Sequence, residues 1–364
     1  MLHQKEALVK ASKASITDVK HSFLPQLKAS EQLNIGSDNS LAGSFFTFGI
    51  TPSTSAGVRA DNNTQAATGN VAVLYSEYEL INFGLNTAKI KSAQSYIDLN
   101  KADLEKEKYL VQLEAARLYF NILKNQYQLD ADKQNIQRYQ DVFTVIHALT
   151  ASGIKAGADS SLAKAELSKT RINYNQTQGR INQLKQQLSY LTGIDAAKLL
   201  LDTLLLNPTA ATPVVANYTT DTINNPLINF YSKKKEIFLF NEKLIKKSYL
   251  PKVMLASSVW ARGSSIQYND KYTALGNGLG YQRFNYAVGV AVTYNLFNSI
   301  YKKDKLAINS YQTQASDFEL QQQKLALNSS LLQAENALQT AQINLQELPV
   351  QQESAKAVYQ QKLA

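Results

Sequence analysis

Apolar and polar residues alternate with the period of an α-helix over two long stretches of the chain. The first stretch begins near Asn86 and ends near Leu149, and neither Pro nor Gly interrupts its 64 residues. A helix of this length measures ~96 Å, too long to lie within one compact domain. Its apolar positions step by seven, then once by four, then by seven again: Ile97, Leu104, Val111, Leu118, Ile122, Leu129, Ile136 and Phe143. Because a four-residue step locally unwinds a coiled coil, the pattern predicts nearly straight packed helices.

A second helix is predicted from about Asp159 to about Leu191, with its own apolar seam. The seam consists of Leu167, Tyr174, Ile181 and Leu188. Residues 151–157 contain two glycines and lie between the helices, so the two helices should form a long antiparallel coiled-coil hairpin. Gly193 is placed to end the second helix.

Other segments alternate with a period of two, which is typical of β-strands. From Tyr286 to Tyr294, Tyr and Val occupy one face, whereas the residues between them are mostly small or polar. Residues 252–261 and 70–75 follow the same rule. In the earliest segment, apolar Leu27, Leu33 and Ile35 alternate with polar positions, and Glu31 interrupts the apolar face. The polar positions are Lys28, Ser30, Gln32 and Asn34.

These four strands fit either of two environments. Strands of about ten residues with one apolar face occur in outer-membrane barrels, but a half-buried soluble sheet needs the same alternation. Four strands cannot close a barrel, and lipid does not tolerate open sheet edges. If the strands lie in a membrane, several chains must therefore combine, and three chains would give a 12-stranded barrel with an aqueous lumen.

The order of these elements occurs twice along the chain. Residues 23–25, Phe-Leu-Pro, return as Tyr-Leu-Pro at 249–251, an offset of 226, and the long helices align at an offset of 216. We therefore predict a first structural repeat at 1–194, a linker with three prolines at 195–226, and a second repeat at 227–364.

Composition and charge exclude several classes of function. The chain has no Cys and three scattered His residues, so we expect no disulfide, no metal site and no His-based catalytic triad. We found no paired carboxylates, nucleophile elbow or phosphate-binding loop, and we therefore predict no enzymatic activity and no cofactor. The net charge of +9 comes mostly from Lys at helical spacing, which favours a solvated helix face over nucleic-acid binding.

The chain resembles the TolC-like outer-membrane efflux proteins over almost its whole length. The duplicated order of helix, Leu-Pro, strand, loop, strand, turn and very long helix carries this resemblance. Matching segments are Phe23-Leu24-Pro25, Tyr249-Leu250-Pro251, Leu80-Ile81-Asn82-Phe83-Gly84, Leu296-Phe297-Asn298, Asn225-Pro226-Leu227 and the turn at 152–159.

The resemblance implies a homotrimer in the outer membrane of a Gram-negative bacterium, with its strands in lipid and an α-helical tunnel in the periplasm. Such a trimer is a passive export duct for efflux or type I secretion, and it docks a periplasmic adaptor protein and an inner-membrane transporter. Under this interpretation, the docking tip includes Ser152, Gly153, Ile154, Lys155 and Asp159. Lys28, Gln32 and Asn34 would face the barrel lumen.

Two roles are proposed for Asp159, and they are compatible with each other. It could line the periplasmic mouth, or it could cap the second helix, with Ser160 and Ser161 as alternative caps. We expect the cap role to be the stronger of the two.

Two features depart from the family pattern. No apolar leader opens the sequence, and the second repeat stops at Ala364, before a counterpart of the first tip. We therefore expect a chain that is truncated at both ends. The alternative function is a soluble coiled-coil scaffold or tether, in which the strands form small docking sheets.

Overall fold

The computed structural model describes residues 2–41, 57–199 and 224–363. The described helices are α1 (Leu2–His21), α2 (Leu85–Ala151), α3 (Gly157–Thr192), α4 (Pro226–Ser248) and α5 (Asn298–Leu363). The described strands are β1 (Gln26–Gly36), β2 (Ser40–Leu41), β3 (Gly57–Val58), β4 (Ala67–Ile81), β5 (Lys252–Ser264) and β6 (Arg283–Thr293). Short 3₁₀-helices span Ala196–Lys198 and Leu275–Gly278. Most of the predicted linker, residues 200–223, lies outside the described residues. Within the described ranges, no helix combines the length and the apolar character needed to cross a membrane.

The chain divides into two compact units, and each unit draws on both predicted repeats. One unit contains Met1–Ala7, Asn100–Ser232 and Phe318–Ala364. The other contains Leu8–Leu99 and Lys233–Asp317, and it holds all of the described strands.

The second unit is built around a four-stranded antiparallel sheet in the order β1-β4-β5-β6. β1 pairs with β4 and β5 pairs with β6, so the two long strands of each repeat pair with each other. The structure adds the pairing of β4 with β5, which joins the two repeats into one sheet. β1 and β6 are its edges.

The register sorts the sheet into two faces, because residues directly opposite each other in neighbouring strands project on the same side. Lys28 pairs with Tyr75, Tyr75 with Ser258, and Ser258 with Ala287. This row belongs to what we call the polar face, and residues one position away along each strand belong to the apolar face. The apolar face carries many large side chains that are exposed in the single chain, among them Leu27, Leu33, Ile35, Leu74, Tyr78, Val259, Phe284, Tyr286, Val288, Val290 and Val292.

The connection between β5 and β6 folds back over one end of the apolar face. The Tyr281 hydroxyl donates a hydrogen bond to Glu31 at 2.7 Å, and the Asn70 side-chain amide donates to the Leu279 carbonyl at 2.8 Å. Thr68, on the same face, donates from its hydroxyl to the carbonyl of Leu275. These contacts explain why Glu31 interrupts the apolar alternation: a loop residue gives its carboxylate a partner there.

Glycine allows the loop to approach the sheet this closely. A Cβ at Gly278 would overlap the backbone and hydroxyl of Thr68, and a Cβ at Gly263 would overlap the carbonyl of Gly280. Next to this contact, Arg59 forms a two-point ion pair with Asp270 and stacks over the Tyr272 ring at 5.7 Å. The connection between β1 and β4 is thereby tied to the connection between β5 and β6.

The first unit is organised by the α2–α3 hairpin. Its core contains Leu118 and Ile122 of α2 and Ile181 and Leu188 of α3, and the Ile122 side chain is fully buried. These four residues belong to the two seams predicted from the sequence, so the antiparallel hairpin is confirmed. One charged group lies within this interface: Asp132 accepts hydrogen bonds from Thr177 at 2.7 Å and from Gln128 at 3.0 Å.

A charged cluster joins three helices of the same unit. Asp103 of α2 accepts hydrogen bonds from Lys5 of α1 at 2.5 Å and from Lys106 at 2.6 Å. The ammonium of Lys106 also lies 3.8 Å from the centre of the Phe230 ring of α4, a cation–π contact. The cluster therefore fixes the starts of α1 and α4 against α2.

Candidate functional site

The tip of the α2–α3 hairpin, residues 149–159, ends α2 with a Schellman motif. The Ile154 amide donates to the Leu149 carbonyl at 2.9 Å, and the Gly153 amide donates to the Thr150 carbonyl at 3.1 Å. Gly153 has φ = 78°, the left-handed conformation that this motif requires. Gly153 therefore supplies the turn geometry that ends α2.

The side chains of the tip are presented to solvent in the single chain. Ile154 is 71% exposed. Ser152 donates from its hydroxyl to the carbonyls of Ala148 and Leu149, both at 3.1 Å, so its side chain supports the turn. Lys155 lies 4.0 Å from Asp159, one helical turn away, and both side chains are about half exposed.

The expected cap role of Asp159 is wrong. The N-cap of α3 is Ala156, whose backbone is extended and which has no side-chain cap. The helix starts at Gly157 because the Asp159 amide already donates to the Ala156 carbonyl at 3.0 Å. Asp159 therefore lies in the first turn, where a carboxylate still interacts favourably with the helix dipole.

Ser160, an alternative cap in the sequence analysis, meets α2 instead. Its hydroxyl lies 3.2 Å from Nδ1 of His147, whose ring stacks on Phe143. Further from the tip, Arg171 of α3 donates to the Gln140 side chain of α2 at 3.0 Å. These polar contacts hold the two arms of the hairpin together near the tip.

The second candidate region is the polar face of the sheet. Lys28, Gln32 and Asn34, the three residues proposed from the sequence to face a lumen, all lie on this face. Gln32 donates to the Asn34 side chain at 3.1 Å, so these two are ordered side by side. The structure thus places the three predicted residues together, separate from the apolar face.

Two arginines on the polar face were missed by the sequence analysis. Gln32 pairs with Val71, Val71 with Arg262, and Arg262 with Arg283, so the four residues form one row across the sheet. We call this the arginine row. Each arginine shares strand parity with a residue already assigned to the polar face. The signal was therefore present, but their adjacency depends on the pairing of β5 with β6.

Two ionisable groups of the α1–α2 cluster have shifted pKa values. Burial raises the pKa of the Asp103 carboxyl, but the hydrogen bonds from Lys106 and Lys5 outweigh it and hold the pKa below its ordinary value. The same bond to Asp103 raises the pKa of Lys5. Both shifts reflect a structural ion pair.

Comparison with solved structures identifies the fold. CusC, a protein that forms a transmembrane channel, has a TM-score of 0.71 at 16% identity, covering 100% of this chain and 80% of that one. The outer membrane protein VceC of Vibrio cholerae has a TM-score of 0.69 at 16% identity, covering 96% and 78%. The CmeC outer membrane channel of Campylobacter jejuni has a TM-score of 0.65 at 14% identity, covering 89% and 65%. At these identities the likeness establishes the fold alone.

A comparison with family models assigns the sequence to a family. The model of the outer membrane efflux protein family matches residues 1–194, more than half of the chain. The comparison with curated protein sequences found no match. The matched family is one of efflux proteins and not of enzymes. The chain therefore belongs to the outer membrane efflux protein family.

Proposed function

We propose that this chain is one of three identical subunits that close a 12-stranded barrel and an α-helical tunnel, through which solutes leave the cell. The observation that carries the proposal is the sheet. Its four strands have two open edges, β1 and β6, and an apolar face that the single chain leaves exposed. Three copies would pair every edge and turn every apolar face toward lipid.

In such an assembly the polar face becomes the lining of the lumen. Lys28, Gln32 and Asn34 would then contact water and passing solutes. The alternation of exposed apolar side chains with polar ones supports this arrangement over a soluble coiled-coil scaffold, as does the family to which the chain belongs.

The tip of the hairpin is the proposed docking site for a periplasmic adaptor, which in turn connects to an inner-membrane transporter. Ile154 offers an exposed apolar anchor, and Lys155 and Asp159 flank it with both signs of charge. The backbone bonds around Gly153 hold these side chains in a defined place. Ser152 stabilises the turn through its hydrogen bonds to the last carbonyls of α2. Energy for export would come from the transporter.

Cysteine cross-linking tests the assembly directly, because the native sequence contains no Cys. Asn285→Cys on β6 would be combined in turn with Ser30→Cys, Lys28→Cys or Gln26→Cys on β1. Several positions are needed because strand tilt shifts the register where a barrel closes. We expect one combination to give a covalent trimer after oxidation of outer-membrane fractions.

The matched control places the second cysteine on the inner strand β4, at Val73, which should give no cross-link between chains. Covalent dimers that never extend to trimers, or no cross-link at any β1 position, would contradict the proposed closure. Docking is tested separately, by the effect of Ile154→Ser on efflux of a toxic substrate from intact cells. A loss of efflux is expected, with trimer yield unchanged.

A further inference from the structure

We propose that the arginine row makes this channel selective for anions, so that its exported substrates are organic anions carrying carboxylate or phosphate groups. The inference rests on the proposed trimer, in which the polar face lines the lumen. It begins from the register of β5 and β6, which sets Arg262 directly opposite Arg283 on that face.

The two guanidinium groups are neighbours, and no carboxylate forms an ion pair with either of them in the described part of the chain. Opposed residues of an antiparallel pair have Cβ atoms ~5 Å apart, so two like charges here repel each other. In the part of the chain that the structure describes, neither group forms an ion pair, and Arg283 donates only to the Gln282 carbonyl, at 2.7 Å. Both side chains are exposed. Their positive charge is therefore available to a solute.

The rest of the row does not offset this charge. Gln32 and Val71, which complete it, are neutral. The carboxylates of the polar face, Glu77 and Glu79, lie on β4 six or more residues from Val71, about 20 Å along the strand. That spacing exceeds the screening distance of ~8 Å at physiological ionic strength.

Closure by three copies would repeat the row around the lumen. The result is a level with six guanidinium groups and no acidic group. Rings of Arg or Lys favour anions in pores. A guanidinium also binds carboxylate and phosphate in a two-point geometry, which an ammonium lacks. The same chemistry would repel cationic solutes from this end of the sheet, where the hairpin connections lie.

The test measures ion selectivity of the full-length chain, purified as the trimer and reconstituted in planar lipid bilayers under a KCl gradient. The reversal potential gives the ratio of chloride to potassium permeability. We expect a ratio above one for the native sequence, decreasing as ionic strength rises. The double variant Arg262→Gln with Arg283→Gln should bring the ratio to one or below.

Two controls separate this effect from misfolding and from net charge. Arg262→Lys with Arg283→Lys keeps the ring charge and should keep the ratio above one. Lys10→Gln with Lys13→Gln removes the same charge from exposed positions of α1 and should leave the ratio unchanged. Trimer yield and unit conductance are recorded for each variant.

A native channel that conducts without preferring chloride would overturn the inference while leaving the channel in place. So would a double glutamine variant with an unchanged ratio, or a lysine control on α1 that loses the preference equally. Absence of any conductance would instead count against the proposed function, and the inference would fall with it.

Discussion

At the scale of single residues, three positions show how the fold departs from the hydrophobic pattern: two glycines without a side chain and one carboxylate on an apolar face. Gly278 lies against Thr68, Gly153 takes a left-handed backbone, and Glu31 sits on an apolar face with a tyrosine as its partner. Gly278 allows a close backbone approach, Gly153 allows a turn, and the hydrogen bond from Tyr281 gives Glu31 a partner.

Gly278→Ala should displace the loop that covers the end of the apolar face. The added Cβ would overlap the Thr68 backbone, so we expect a loss of about 1–3 kcal/mol in the free energy of unfolding. Gly276→Ala is the matched control, because a Cβ there meets nothing within 4 Å. Urea unfolding in detergent, followed by tyrosine and tryptophan fluorescence, measures both. Equal stability of the two variants would mean that the loop does not pack on Thr68.

Asp103→Asn should weaken the junction of α1 with α2 in a way that depends on pH. The lowered pKa of Asp103 means that its ion pairs stabilise the fold above the ordinary carboxyl pKa of about 3.9. This contribution disappears as pH falls through the lowered value. At neutral pH we expect a loss of about 2 kcal/mol. The difference between the variant and the native chain should shrink as pH falls below about 4 and vanish only once pH has passed through the lowered pKa of Asp103.

Thermal unfolding followed by circular dichroism between acid and neutral pH checks that expectation. Asp130→Asn is the control, since its partner Lys133 is 3.7 Å away and both side chains are mostly exposed. A constant difference between Asp103→Asn and the native chain at every pH would rule out the ion pair as the cause.

At the scale of elements, the α2–α3 hairpin is the part that the sequence described best. A helix seam is a local property, since residues three, four and seven apart lie on one face whatever the rest of the chain does. Ile122 and Ile181 were assigned to seams, and both are buried against each other's helix. The start of α3 was less predictable, because several polar residues near Asp159 could each have capped it.

Gly153→Ala tests the geometry of the tip. An alanine in the left-handed region costs about 1–2 kcal/mol, so the end of α2 should fray and docking at the tip should weaken. Gly157→Ala changes the same chemical group where φ is ordinary and no atom lies within 4 Å. Efflux in cells and hydrogen exchange at the Ile154 amide report the two effects. Equal protection in both variants would show that the Schellman motif is dispensable.

At the scale of the whole molecule, the sheet is the element whose hydrogen-bonding edges and apolar face a single chain leaves uncovered. Its apolar face and both edges are open, which fits a subunit of a larger membrane assembly. Adjacent residues of β6 allow a sharp comparison of the two faces. Val290 lies on the apolar face and is 62% exposed, whereas Ala291 lies on the polar face.

Val290→Lys should reduce insertion into the outer membrane, because a lysine facing lipid costs about 2–4 kcal/mol near the bilayer midplane. Ala291→Lys adds the same charge one residue away, on the polar face, and we expect near-native amounts of membrane-inserted trimer. Fractionation followed by seminative electrophoresis distinguishes the two. If both variants insert equally, the assignment of the faces is wrong.

The sequence by itself determined the helical hairpin, the four strands, the apolar side of β1, β5 and β6 and, through the resemblance, the family. These follow from local periodicity and from the duplicated order, and neither depends on which segments later meet. In β4 the alternation alone would have made Val71, Val73 and Tyr75 the apolar side, but the pairing with β1 places them on the polar face. The family model and the structural comparisons confirm the family and the fold.

Only the tertiary structure decided which distant residues became neighbours. The pairing of β4 with β5 sets Val71 beside Arg262, and the pairing of β5 with β6 sets Arg262 beside Arg283. The loop at 275–281 reaches Glu31 across about 250 residues of sequence. Periodicity fixes the face of a strand but not its register or its partner, because these are selected by the summed packing and hydrogen bonding of the whole sheet.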